Sequence, residues 1–200
     1  MSNNTQVKTE RQANYDIDPI YLNRWSPRSY QEKDVPEDVL YSVFEAARWA
    51  PSASNEQPWR FIIARTKEER EKFYPFIMDG NRIWCEKAPV LAVLVSNTVT
   101  SKGQPNGSNE FDAGAAWGYL ALEAARQGLA AHCMAGFFED KARDILEVPE
   151  EFAIYAVISL GYRGDKEELS ETLQEREVPS SRRPLKETLF EGGFGENAIK

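Results

Sequence analysis

Histidine occurs once in this 200-residue chain, cysteine twice, and basic side chains fall short of acidic ones, 24 against 32. Each shortage excludes something. One histidine cannot build a His-rich metal centre. Cys85 and Cys133 form no disulfide framework and offer no metal-ligand spacing, so both are expected to stay reduced. The net charge of -8 argues against bulk nucleic-acid binding, which relies on basic side chains to neutralise phosphates. Long apolar runs are also missing. Ala88 to Val95 is the longest, far short of the roughly 20 residues that cross a bilayer, and no membrane partner is expected. The first twelve residues are polar, with no apolar stretch of the kind a secretory signal needs, which reads as a cytoplasmic chain.

Chemical signatures are equally sparse. There is no G-x-G-x-x-G, no Walker A loop, no H-E-x-x-H and no G-x-S-x-G, so Rossmann, phosphoryl-transfer, zincin and α/β-hydrolase readings lose their main support. Gly114 and Gly118 lie within a helical pattern, and Gly192, Gly193 and Gly195 follow no strand. His132 stands in an apolar strand beside Cys133 and reads as a structural residue rather than a general base. What remains open is chemistry carried by an organic cofactor, for which the protein supplies binding and orientation.

The residues present are those of a core-forming domain, 42% hydrophobic and 12% aromatic. One domain over 1–200 is expected, with 1–17 as a flexible segment and 180–200 as a tail too poor in apolar residues to form its own core. Asp18 can cap a short turn through Asn23. Val39, Leu40, Val43, Phe44 and Ala47 mark a helix that ends near Trp49. Trp59 to Arg65 is aromatic and β-branched, hence a strand, and Thr66 with Glu69 forms a capping box for the next helix. Pro89 to Val95 lacks alternation, as a strand covered on both faces does, and belongs in the sheet centre. Thr98 to Asn109 reads as a mobile loop. A helix from about Glu110 to Gln127 is rich in alanine and glycine, which permits close backbone approach, and Gly128 caps it. A strand over Leu129 to Met134, a helix over Glu139 to Leu146 and a strand over Phe152 to Leu160 follow. Strict βαβ alternation is absent, so the fold class is α+β.

Two polar clusters stand out. Arg24-Trp25-Ser26-Pro27-Arg28 sets two guanidinium groups and a hydroxyl within five residues; this is either a phosphate-binding turn or a solvated turn with two surface arginines. Between Pro51 and Pro58, the loop Ser52 to Gln57 is dense in amides and hydroxyls, suited to the edge of a heteroaromatic ring. R-x-S-x-R, followed about 25 residues later by P-S-x-x-N-x-Q-P-W, resembles the flavin-dependent nitroreductase family. The resemblance runs on through Gly80-Asn81-Arg82-Ile83-Trp84, Met134-Ala135-Gly136-Phe137 and Arg182-Arg183-Pro184-Leu185, covering roughly residues 20 to 189.

That resemblance implies a mixed, mainly antiparallel sheet flanked by helices, and a homodimer with FMN at the interface. Arg24, Trp25, Ser26 and Arg28 would hold the phosphate together with Arg182. Asn81 would meet the ring edge, and the backbone of Met134, Ala135 and Gly136 would approach the flavin's reactive nitrogen. Pro51, Ser52, Ala53 and Asn55 would reach the flavin from the partner subunit, and the tail would wrap that partner. Three positions depart from common family patterns: Trp25 is bulkier than usual, Trp84 stands where some relatives have lysine, and Ala135 where some have an acid. The activity implied is reduction of nitroaromatics, quinones or similar flat small-molecule acceptors by NADH or NADPH in a ping-pong cycle, with no catalytic side chain. The same scaffold also carries flavin fragmentation and reductive dehalogenation, and a non-catalytic FMN-binding protein is the reading from another class.

Overall fold

Val90–Asn97 (β2) is apolar at every position up to Val95, and burial explains why. Val90, Ala92 and Leu94 enter one hydrophobic cluster while Leu91, Val93 and Val95 enter another on the opposite face. In this computed structural model, which describes residues 11–199, β2 therefore occupies the interior of a four-stranded sheet. The order is Trp59–Ala64 (β1), β2, Phe152–Tyr162 (β4) and Leu129–Met134 (β3). All three pairings are antiparallel, so the sheet is not mixed among the described residues. The α+β class stands. The register shifts between Leu94 and Val95, where β4 carries a bulge.

Helices cover both faces. Glu37–Arg48 (α2) and the long Asn109–Arg126 (α5) pack on one side, against Leu129, Ala131, Ile158 and Leu160. Lys67–Phe73 (α3), Asp79–Cys85 (α4), Glu139–Leu146 (α6) and Glu171–Gln174 (α7) cover the other. The first helix, Ile20–Asn23 (α1), is a single turn whose N-cap is Pro19 and not the expected Asp18, although Asp18 Oδ1 accepts from Ile20 N–H at 2.9 Å. The Thr66–Glu69 capping box forms at the start of α3. Gly128 follows α5 with φ +75°, a backbone position that suits glycine at a helix end.

The loop expected to be mobile between β2 and α5 is tied down. Thr100 N–H donates to the Gln104 carbonyl at 2.7 Å, Asn106 N–H to Thr98 at 2.7 Å, and Asn106 is buried. Side chains of Asn97, Thr100 and Asn106 accept from the loop's own backbone N–H groups. Residues 1–10 of the segment expected to be flexible lie outside the described residues. Arg11, within them, bonds to three carbonyls. No helix among the described residues is long and apolar enough to cross a membrane.

Candidate functional site

The edge strand β3 presents Ala130, His132 and Met134 toward α4, because alternate residues of a strand share a face. His132 lies against Trp84 of α4, ring centroids 4.6 Å apart. Trp84 is buried and stacks on Tyr30 at 6.5 Å, and the Arg28 guanidinium stands 5.9 Å from its ring. One helical turn before Trp84, Asn81 donates its side-chain amide to the Gly136 carbonyl at 3.2 Å. Arg28, Trp84, Asn81 and Gly136 thus form one continuous strip along α4 and the end of β3.

Gly136 fits this place for a steric reason. A Cβ built there would stand 2.5 Å from Asn81 Nδ2, so any side chain would displace that amide. The Gly136 carbonyl also accepts from Met78 N–H at 3.1 Å, which fixes the turn leaving β3. Met134 is in the core and Ala135 is exposed, so from this segment Ala135 and Gly136 face outward most openly.

At the other end of the strip, five arginines converge. Arg24 is close enough to Arg182, and Arg11 to both, that their charges push the Arg11 and Arg24 pKa values down, after burial as the first cause. Arg28 is likewise lowered by burial and by Arg176, partly offset by Glu177. None of these five arginines makes an ion pair within 4 Å among the described residues. A cluster of like charges that Glu177 offsets only in part suits an anion with several oxygens. Ser26 accepts from Arg24 Nη1 at 3.4 Å. The Trp25 indole is buried beneath Arg163, whose guanidinium is 5.1 Å from the ring.

His132 is neutral in this setting. Burial, aided by Arg28, Arg24 and Arg176, pushes its pKa down to about 4 despite a bond to the Pro27 carbonyl at 3.0 Å. That bond requires the proton on Nδ1. The imidazole props the 24–28 turn from below and is no general base poised near neutrality. Cys85 and Cys133 are free thiols, raised by burial to about 12 and about 11, hence inert.

The loop carrying Pro51, Ser52, Ala53 and Asn55 is not brought to this strip. It enters β1, the edge strand opposite β3, three strand spacings or roughly 14 Å across the sheet. Ala53 N–H donates to the buried Asp112 carboxylate at 3.2 Å, and Gln57 N–H to Ser52 Oγ at 3.0 Å. Ser54, Asn55 and Gln57 all have positive φ, so the loop is held in a strained shape rather than left to relax. A cavity of about 630 Å³ opens beside Arg24, between β3, the end of α5 and residues 162–167, but neither Asn81 nor Gly136 borders it.

Sequence reasoning did not single out Arg11, Glu177 or Asp112. Glu177 is 3% exposed and accepts from the backbone N–H of Arg28 at 2.8 Å and of Ser29 at 3.1 Å. In the sequence it is one carboxylate among many in a charged run, and nothing there marks it as buried.

Comparison with known proteins places this geometry. A family model described as the nitroreductase family matches residues 21–84 and 76–162. A Thermus thermophilus protein named NADH dehydrogenase is 30% identical over 201 aligned positions, covering 84% of this chain and 92% of its own length. A crystal structure described as an oxidoreductase containing FMN superposes with TM-score 0.88 at 40% identity, over 98% of this chain and all of that one. A nitroreductase family protein from Streptococcus pneumoniae, 21% identical, shares the fold at TM-score 0.70, over 86% of this chain and 98% of its own.

Proposed function

The chain belongs to the nitroreductase family, and from that premise we propose that it is an FMN-dependent oxidoreductase supplied by NADH or NADPH. The observation that carries this reading is the strip itself, with an arginine cluster that makes no ion pair within 4 Å at one end and the Asn81–Gly136 pair at the other. The residues fit the cofactor. Arg24, Arg28 and Arg182, with Ser26, hold the phosphate; Trp25 fixes their turn through packing. Asn81 offers its amide at the ring edge, and the glycine at 136 leaves room for a flat ring to approach the backbone.

Bound there, FMN supplies hydride transfer from the nicotinamide to an acceptor in two half-reactions. The chain orients the ring, excludes water beneath it through Trp84 and Met134, and holds no titrating side chain at the reactive edge, since position 135 is alanine and His132 stays neutral. Nitroaromatics, quinones and similar flat electrophiles are the acceptors this reading favours. Free thiols accord with a reducing compartment, the cytoplasm.

The reading includes a homodimer. On α5, Phe111, Gly114, Gly118, Tyr119 and Leu122 recur at helical spacing on the side away from the sheet. Phe111 is 81% exposed, and nothing stands within 4 Å of a Cβ added at either glycine. A second copy packed there would cover this stripe. Phe194, 98% exposed in a tail with no core of its own, gives that segment reason to lie on the partner. The partner's Pro51–Asn55 loop then completes each site, a reading supported by the loop's distance from its own strip. The interface would bury well above about 2,000 Å².

Purification followed by mass analysis of the released flavin, together with sedimentation, tests this. A dimer carrying FMN is expected. Recovery of FAD, or a colourless protein that takes up no added FMN, contradicts it.

A further inference from the structure

The arginines of the cluster come from distant chain segments, Arg28 and Arg176 being 148 residues apart, and like charges drive such segments apart. Besides Arg28, whose Nη1 donates to the Arg176 carbonyl at 3.3 Å, two side chains outside the motifs hold them together. Arg11 Nε donates to the Ser180 carbonyl at 2.8 Å, while its Nη1 donates to the Leu22 and Arg24 carbonyls at 3.0 and 2.8 Å. One guanidinium thereby bridges the α1–Arg24 turn to the segment that carries Arg182. On the far side, the Glu177 carboxylate receives the Arg28 and Ser29 N–H groups and pins the base of the same segment to the same turn.

A buried carboxylate beside an anion site is electrostatically adverse, since its charge opposes the ligand's. Its placement makes sense as backbone fixation, where both oxygens meet N–H groups that would otherwise lack partners. Arg11 shows a related pattern. Three of a guanidinium's five N–H bonds go to neutral carbonyls, so its main work is joining chain segments.

We propose that Arg11 and Glu177 are positioning residues, a clasp that seats segment 176–182 on the 24–29 turn and presets Arg24, Arg28 and Arg182 for a flavin phosphate. The inference rests on reading that cluster as the FMN phosphate site. It places two roles on residues outside the motifs, and it makes flavin retention depend on how firmly the C-terminal segment is docked.

Charge and position make opposite predictions here. Glu177→Gln removes a negative charge and makes the site more positive, so charge alone would tighten FMN binding. The clasp account requires weaker binding, because the amide NH2 faces backbone donors. Arg11→Lys keeps the charge and loses the fork, so charge alone leaves binding unchanged, whereas the clasp weakens it. The experiment titrates apo-protein with FMN and with riboflavin, which lacks the phosphate, for the wild type and both variants. FMN affinity should fall on the order of tenfold in each variant, with riboflavin affinity held within about twofold, the mark of an unchanged ring site. Trypsin cleavage of the apo-protein after Arg182 should also accelerate in Arg11→Lys. Tighter FMN binding by Glu177→Gln, unchanged binding by Arg11→Lys, or equal loss of both ligands would overturn the clasp. A wild type that binds riboflavin as well as FMN would instead remove the phosphate assignment itself.

Discussion

Asn81 Nδ2 lies 3.2 Å from the Gly136 carbonyl and only 2.5 Å from where a Cβ at residue 136 would sit. The amide and the glycine are therefore one unit. Gly136→Ala should push Asn81 aside, costing about 1–3 kcal/mol of stability through overpacking. It should also weaken FMN binding roughly tenfold, the equivalent of one displaced hydrogen bond. A flavin titration with a thermal melt checks both. Wild-type affinity in the alanine variant would show that the unit does not touch the flavin.

Arg24→Ala and Arg182→Ala should each weaken FMN retention by about 2–3 kcal/mol, the range for a lost charge-assisted bond. Both effects should shrink in high salt, since the cluster is partly solvent-facing. Equilibrium dialysis of the two variants decides it. Retention equal to wild type in both would reduce the cluster to surface charge.

The single histidine gives a pH test. Its pKa is depressed from 6.5 to about 4 in the fold, so between those values the unfolded chain binds a proton that the native chain does not. Stability is full above about pH 6.5 and falls as the pH drops toward 4, by up to roughly 3 kcal/mol. His132→Gln should flatten that part of the curve. Urea melts at several pH values compare the two proteins, and parallel curves would show that His132 titrates normally.

Asp112, 2% exposed, holds the 51–55 loop by accepting from Ala53 N–H. Asp112→Ala should cost about 1–3 kcal/mol by stranding that donor. In the proposed dimer, in which the loop would serve the partner's site, it should also loosen FMN. Thermal melts and flavin content report the two effects. An intact melt with normal flavin content would mean that the loop keeps its shape unaided.

Strong local codes made much of the fold legible. The two-sided apolar run of β2, the Thr66–Glu69 box and the Gly128 stop each state their structure within a few residues, and β3 and α6 fall at the ends their sequences predict. Helix α4 was visible only as a motif. It has seven residues, starts after Met78 without a side-chain cap and contains Gly80, so packing of Trp84 and Cys85 into the core, rather than propensity, makes it helical. Of the motif residues, Arg28 lies over Trp84 on the helix that also carries Asn81, Asn81 bonds to Gly136, and Arg24 lies near Arg182. Arg11, Asp112 and Glu177 were illegible because their roles consist of burial and long-range backbone bonds, and a charged side chain in a polar stretch reads as solvated until its neighbours are known.

On the proposed function, bound flavin would be reduced by a nicotinamide and would then pass its electrons to a flat acceptor. Anaerobic stopped-flow mixing of the FMN-loaded protein with NADH and, separately, NADPH measures this directly, with a quinone or nitroaromatic added after reduction is complete. The account predicts rapid loss of oxidised-flavin absorbance with at least one nicotinamide and its return on adding the acceptor. A flavin that stays oxidised with both nicotinamides would contradict it and leave a protein that only binds FMN.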